Sequence, residues 1–528
     1  MTAWRTDWNE LAERDPAGLD ATELQRLATA AFLLGRYQES VAAWDRAHSL
    51  LLDDGDAAGA CRCLFWLLLA IGEDDVKAAA RMGGELARIQ RLVDEHALAD
   101  LERSYLACYA AIDKFMSGEY SGGIELWRQV SDIGRTHGDG DIWAFGAQGL
   151  GRSLICAGRV GEGSALLDEL FVAITAGELS PMMTGWVYCS CLLGCHEAFD
   201  MARAVEWTTS ANSWADSQPD LETYTGVCLV HRSRIRRMQG LWKEALQDID
   251  AAVAQLSDRR KHWELGEAHY NRGELLRAQG DREGADASYR LASQHGHDPQ
   301  PGLALLRLAQ GKTAAARSAL RRALDETSDI KRRAELLPAM AEVALLEADL
   351  GTAESVCAEL EQLTETFSSL LLSAESRFAR GRIRLAEGDA RAALDPLRNA
   401  HRLWQELEMP IAEARARVHL ANACDALGDT DGAELERHSA REVFERFGAV
   451  DELAVSGVRG RPQTPLTERE SEVVRKVAAG LSNRAVSTQL HISEKTVASH
   501  LSHIFTKLDV GNRAGVTAYY YEHLAGNR

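Results

Sequence analysis

Glycine returns along this chain inside one short pattern, and few folds can accommodate such a pattern. The pattern is Gly, a large or medium residue two places on, a small residue five places on, and apolar or small residues four and seven beyond that. It reads Gly35, Tyr37, Ser40, Trp44, Ala47, then Gly118, Tyr120, Gly123, Trp127, Val130, then Gly240, Trp242, Ala245, Ile249, Ala252. A further copy runs Gly280, Ala285, Tyr289, Ala292, and others start at Gly311, Gly388 and Gly428, with weaker ones near Asp74, Gly158, Asp200 and Ala348. Eleven copies between Gly35 and Gly428 give a period of about 39 residues. A glycine that ends one helix supplies the left-handed residue that satisfies orphan carbonyls, and a small residue five places later lets the next helix approach closely. Each copy is therefore a helical hairpin. One hairpin cannot bury its apolar stripe, so neighbours must stack into a solenoid with a continuous core.

This pattern resembles tetratricopeptide repeats in a longer form of about 40 residues, over roughly residues 20 to 446. Composition agrees with an all-α protein, because only 10 Pro occur in 528 residues and 46% of the chain is hydrophobic. No apolar run approaches eighteen residues and the N-terminus is polar and acidic, which argues against membrane spanning and export. The ten cysteines have no framework spacing and fit reduced thiols in a cytoplasm.

The repeat also disposes of a nucleotide-binding motif. Gly311-Lys312-Thr313 resembles the end of a phosphate loop, but Leu306 stands where that loop needs glycine, and Gly311 is in register as a repeat turn. Neither a nucleophile elbow, nor paired zinc histidines, nor a kinase signature is found, so no catalytic residue, metal or cofactor is assigned. Cys189, Cys191, Cys195 and His196 cannot converge on one ion from one helix, and small apolar packing is the alternative to a metal site. The run Ser293 to Gly302 holds two prolines and two glycines and predicts a kink or joint; its His295, His297 and Asp298 are either ligands or a solvated turn. Arg232, Arg234, Arg236 and Arg237 scatter around a helix, as surface charge or as an anion site on the concave face.

After Phe447 the repeat stops. Residues 456–465 carry two of the prolines and predict a linker, dividing the chain into a solenoid (1–455), that linker, and a small domain (466–528). Charge changes sign across it, from −24 over residues 1–455 to +4 over 456–528, so the small domain is drawn to DNA and the solenoid is repelled by it. Four short helices are predicted in the domain. Thr467 and Glu470 form a capping box for the first, which ends before Gly480; Ser482 caps a second that ends near Leu490. Ser493 caps a third that runs to about Leu508, and Asn512 opens the fourth. Two helices joined by so tight a turn have the geometry that inserts the second into a major groove.

Leu466-Thr-Glu-Arg-Glu470, Ala479-Gly-Leu-Ser-Asn-Arg484, Leu490-His-Ile-Ser493, Lys495-Thr-Val497, His500, Ile504 and Lys507-Leu-Asp-Val510 with Asn512-Arg513 together resemble the LuxR (GerE) family of four-helix DNA-binding domains. The resemblance covers about 60 residues and implies that the third helix reads bases, with Thr496, Ser499 and Ser502 facing the groove. It also implies a dimer contact from the fourth helix, Asn512 to about Leu524. Two positions depart from the family: Ala498 stands where a lysine is frequent, removing a cationic contact, and Val486-Ser487 replace an Ile-Ala pair, which touches packing.

Read from the residues themselves, Arg484, Lys495, Lys507 and Arg513 are candidates to neutralise phosphates, and Asn483, Ser493 and Thr496 to donate hydrogen bonds to the backbone. Ser499, Ser502 and His503 are candidates for base edges, with Ala498 against a thymine methyl. Val497, Leu501, Ile504 and Leu508 keep core spacing, and His500 is either a phosphate contact or a packing residue. The expectation is a cytoplasmic DNA-binding transcriptional regulator that binds double-stranded DNA as a homodimer at paired half-sites, with the solenoid accepting a peptide, protein or small-molecule effector. The charge split adds the expectation that the solenoid restrains the basic domain until an effector shifts the balance. Two alternatives stand beside it: an interaction scaffold with a degenerate DNA-binding domain, and a metalloenzyme using the Cys189 to His196 cluster.

Overall fold

The computed structural model describes residues 3–71, 76–218, 220–257, 262–449, 452, 466, 468–490, 492–508, 510 and 512–521. All regular structure among them is helical, in two compact units, Met1–Asp451 and Glu452–Arg528. None of these helices is long and apolar enough to cross a membrane. The predicted linker 456–465 and the turn near Asp74 lie outside the described residues.

The first unit begins with α1 (Ala3–Leu11) and continues as helical hairpins. Five of them are α2 (Ala21–Leu33) with α3 (Tyr37–Asp53), α4 (Ala57–Ile71) with α5 (Val76–Glu95), α6 (Asp100–Met116) with α7 (Tyr120–His137), α8 (Gly140–Cys156) with α9 (Val160–Thr175), and α10 (Pro181–Glu197) with α11 (Met201–Asp216). Three more are α12 (Thr225–Met238) with α13 (Trp242–Ser257), α14 (His262–Ala278) with α15 (Arg282–Gln294), and α16 (Gly302–Ala309) with α17 (Thr313–Asp325). The last three are α18 (Ile330–Leu346) with α19 (Leu350–Phe367), α20 (Leu370–Ala386) with α21 (Ala390–Glu406), and α22 (Pro410–Ala426) with α23 (Thr430–Phe447).

The repeat pattern explains each turn. Gly35, Gly118, Gly240, Gly388 and Gly428 all have φ between 71° and 84°, the left-handed cap that glycine adopts without strain. Gly311 has φ 73°, so Gly311-Lys312-Thr313 is a hairpin turn, as its register requires. Of the weak copies, Gly158 keeps the glycine at φ 83°, whereas those at Asp200 and Ala348 use Phe199 and Ala348 at φ 55° instead, at a cost of about 1–2 kcal/mol each. Beyond the turn an aspartate often caps the second helix: Asp349 accepts from the Thr352 N–H at 3.1 Å and Asp389 from Ala392 at 2.9 Å. The small and apolar positions then form the buried stripe. After Gly388 these are Ala393, Leu397, Ala400 and Trp404, and after Gly240 they are Ala245, Ile249, Ala252 and Leu256, all at most 1% exposed.

The segment before Gly311 interrupts the rhythm as predicted. The first helix of that hairpin, α16, has 8 residues where its neighbours have about 17. The interrupting turn is packed rather than open: His297 lies against Tyr270 with ring centroids 4.9 Å apart, His295 against His269 at 5.7 Å, and Asp298 accepts from Arg332 at 2.5 Å.

The stack winds far enough for distant hairpins to touch. Glu222 N–H donates to Leu33 O at 2.9 Å, the Tyr120 hydroxyl to Asp329 at 2.9 Å, and the Ser369 hydroxyl to Phe199 O at 2.8 Å. These pairs lie 170 to 209 residues apart or between those limits, which places roughly five hairpins in one superhelical turn. Phe199 crosses the closure to pack edge-on against Phe367 at 5.1 Å.

All ten cysteines are free thiols. Cys191 and Cys195 are core residues, and His196 stacks on His231 at 5.2 Å, so the cluster is divided among separate packing roles. No metal-ligating group of three or more such side chains occurs among the described residues. Arg232 and Arg236 both bond the buried carboxylate of Asp248, at 2.7 and 2.6 Å, while Arg237 approaches Glu274 at 3.8 Å. That sequence cluster is thus largely consumed by internal pairing.

Candidate nucleic-acid interface

The second unit contains α24 (Glu468–Ala478), α25 (Asn483–Leu490), α26 (Glu494–Leu508) and α27 (Arg513–Tyr519). Its core is small and dominated by β-branched residues. Val473, Val474 and Val477 of α24, Val486 of α25, Val497, Leu501 and Ile504 of α26, and Val516 of α27 are all at most 5% exposed. Leu508 is partly buried against the same cluster.

Local chemistry fixes each junction. Gly480 at φ 82° ends α24. The Ser493 hydroxyl accepts from the Thr496 N–H at 3.0 Å, and Asn512 accepts from Gly515 N–H at 3.0 Å, so both predicted caps are in place. Thr467, the other half of the predicted capping box, lies outside the described residues, as does His491 in the turn. Arg469 reaches across to the Leu490 carbonyl at 2.6 Å and closes the C-terminus of α25.

With Val497, Leu501 and Ile504 turned inward, the opposite side of α26 is determined. Lys495, Thr496, Ala498, Ser499, Ser502 and His503 are exposed, and Lys495, Ala498, Ser499, Ser502 and His503 recur at helical spacing along one stripe. His500 sits between the two sides and is half-buried. Arg484, at the start of α25, is exposed as well.

The remaining site residues have partners inside the domain. Lys507 donates to Glu470 at 2.7 Å, and that carboxylate is 4% exposed, so Lys507 ties α26 to α24. Arg513 donates to Asn483 Oδ1 at 2.7 Å and also reaches the Leu481 carbonyl, which ties α27 to the start of α25. The Ser493 and Thr496 hydroxyls lie 2.7 Å apart. These pairings join residues 30 and 37 apart, and no local sequence signal gives them away. Arg469, which the sequence reading passed over, belongs to the same bracing.

Opposite the buried Val497, Leu501 and Ile504, the stripe on α26 therefore offers small polar groups, an imidazole and a lysine outward, on a helix short enough for a groove. Residues 464–520 match the family model described as bacterial regulatory proteins, luxR family. The C-terminal domain is LuxR-type. One curated relative is a nitrate/nitrite response regulator protein homolog from Haemophilus influenzae, 43% identical over 98 residues, covering 19% of this chain and 47% of that protein. Another is the transcriptional regulatory protein LiaR from Bacillus subtilis, 33% identical over 118 residues, covering 21% and 53%. This chain spans about half the length of these relatives. Among solved structures, the APC/C hetero-tetramer Cut9-Hcn1 aligns with 86% of this chain and 92% of that one, at 14% identity and TM-score 0.42. Human IFIT1 in a dimer with m7Gppp-AAAA aligns with 83% and 92%, at 12% identity and TM-score 0.36.

Proposed function

We propose that this chain is a transcriptional regulator that binds double-stranded DNA through α26 and takes its input through the helical repeats. The observation that carries the reading is the outward stripe of α26 in a domain matching the luxR family. Lys495 and Arg484 neutralise phosphates on either side, while Ser499, Ser502 and His503 meet base edges and Ala498 offers a methyl-sized contact. Lys507 and Arg513 act indirectly, by holding α26 and α25 in register. A single reading helix of this length gives modest affinity, so the protein works as a homodimer on paired half-sites, in the cytoplasm, with no catalytic step.

Mapping the DNA bound by the protein in cells, then titrating a recovered duplex against a shuffled one at fixed salt, tests this. The expected outcome is binding to the recovered duplex on the order of a thousandfold tighter or more. Equal affinity for the two, with no enriched sites, would sink it.

A further inference from the structure

The winding of the repeats encloses a cavity of about 380 Å³ on the concave side of the first unit, between the first helices of consecutive hairpins. Its walls come from α4, α6, α8, α10 and α12, with Met82 of α5 and Trp127 of α7. Leu68, Ile112, Leu193 and Val227 give it aliphatic sides, and Tyr109, Phe115, Trp127, Trp186 and Tyr224 supply aromatic faces. A volume of this order, apolar with few polar groups, is that of a small-ligand site rather than a packing void.

The shape is built into the backbone. A Cβ on Gly149 would lie 2.4 Å from the Trp127 indole, and one on Gly185 would lie 2.1 Å from the Tyr224 ring. Both aromatic walls are thus seated against bare helix backbone, which leaves the space in front of them open. Phe145 braces the wall from behind, with its ring centroid 5.9 Å from Trp127 and 5.6 Å from Trp186. The Tyr224 hydroxyl is fixed by donating to Met182 O at 2.7 Å. Beside the cavity a shallow groove along α5 and α6 shares Met82, Tyr109, Ile112 and Met116 with it, and two of these are pliable methionines at the mouth.

The polar groups decide the ligand's charge. Arg152 faces the cavity, but both its Nε and Nη2 donate to Glu197, at 3.0 and 2.7 Å, and its guanidinium covers the Phe115 ring at 4.7 Å. Glu264 has an interaction partner of its own, and Gln148 donates to Phe145 O at 2.9 Å. An anion entering here would therefore lose its hydration without gaining a free counter-charge. Among the described residues the indole nitrogens of Trp127 and Trp186 have no hydrogen-bond partner, but both are buried in the wall, so the cavity meets these side chains by their ring surfaces.

We infer that this cavity binds a flat aromatic molecule of about two fused rings that carries no negative charge. The inference rests on the reading of the repeats as the input unit, and names the chemistry of that input.

Prodan, an uncharged naphthalene ketone whose emission reports polarity, serves as the probe for the full-length protein without DNA. One prodan per chain binds with blue-shifted emission. 2-Acetylnaphthalene displaces it at a concentration at least tenfold below that needed by 2-naphthoate, which has the same rings with a carboxylate. Leu193→Trp, which fills the cavity, weakens prodan binding at least tenfold, whereas Leu346→Trp on the exposed surface of α18 leaves it unchanged. If Leu193→Trp loses helicity, Ile112→Phe makes the same test from the opposite wall. Prodan binding unaltered by the cavity-filling substitution overturns the site, and naphthoate competing as well as the ketone overturns the ligand class. Because no duplex is present, failure here leaves DNA binding intact, and failure of DNA binding leaves this result standing.

Discussion

Cations in the repeat unit and cations on the outward face of the LuxR-type domain live under opposite rules. Arg152 is held bidentately by Glu197, Arg380 by Glu361 at 3.0 Å, and Arg232 and Arg236 share Asp248. On α26 and at the start of α25, Lys495 and Arg484 face solvent with no carboxylate partner among the described residues, while Lys507 on the same helix is consumed by Glu470. Net charge would have suggested that acidic repeats and a basic tip differ by how many charges they hold. The more informative difference is whether each charge is already answered inside the fold. An unanswered, exposed cation on a rigid helix is available to a phosphate, and an answered one supports architecture.

The most severe way to break this contrast is to remove one member of a paired set. Arg152→Met leaves Glu197 buried without its partner, and the chain loses about 3–5 kcal/mol in denaturant unfolding. Lys495→Met leaves that value unchanged, and a comparable loss from Lys495→Met would erase the distinction.

Acid exposes the same asymmetry. Burial, aided by the charges of Arg234 and Arg152, pushes the His231 imidazole down to about 3, and burial aided by Arg382 and Arg415 pushes His419 down to about 3. Burial opposes the charged form of Glu342, yet Arg415 and Arg382 overcome it and hold the carboxyl down to about 2. Each of these folded-state pKa values lies below its unfolded counterpart. The stability each group confers is therefore complete above the unfolded pKa and is lost as pH falls towards the folded value. Helix melting of the full chain moves to lower temperature as pH drops from about 6.5 towards 4 through the histidines, and again below about 4.5 through the carboxylates. His231→Phe flattens the first of these slopes, on the order of 2–4 kcal/mol by pH 4.

Removing the unanswered charges should cost binding instead of stability. Lys495→Ala combined with Arg484→Ala lowers affinity for duplex DNA by roughly ten- to a hundredfold at moderate salt, and reduces the slope of log K against log salt by about 2. Anisotropy titrations at four salt concentrations measure both, and an unchanged slope would remove these residues from the phosphate contacts. The smallest effect is expected at the Ser493 cap: Ser493→Ala loosens the N-terminus of α26 by about 1 kcal/mol, read as faster amide exchange in its first turn.

Much of the architecture was legible before any coordinates. Ten of the eleven expected turns, those among the described residues, were marked by glycines or by their weaker substitutes, because a left-handed cap followed by a small residue is a local requirement that leaves a local trace. The short α16 was announced by its prolines, and the inward face of α26 by Val497, Leu501 and Ile504 at helical spacing. The partners of Lys507 and Arg513 were not legible, since Glu470 and Asn483 lie a helix or more away and a cation in sequence carries no record of which carboxylate it will meet. The arginines around residue 234 were ambiguous for the same reason.

Sequence alone determined the helical hairpins, their register, and which side of α26 faces outward, all of which follow from periodicities of a few residues. Only the tertiary structure decided that hairpins some 170 to 209 residues apart would touch, and that the stack would leave an aromatic cavity whose Arg152 is already paired with Glu197. Closure depends on the sum of many small rotations between neighbouring repeats, and a sum of that kind is a property of the stacked molecule that no single motif can encode.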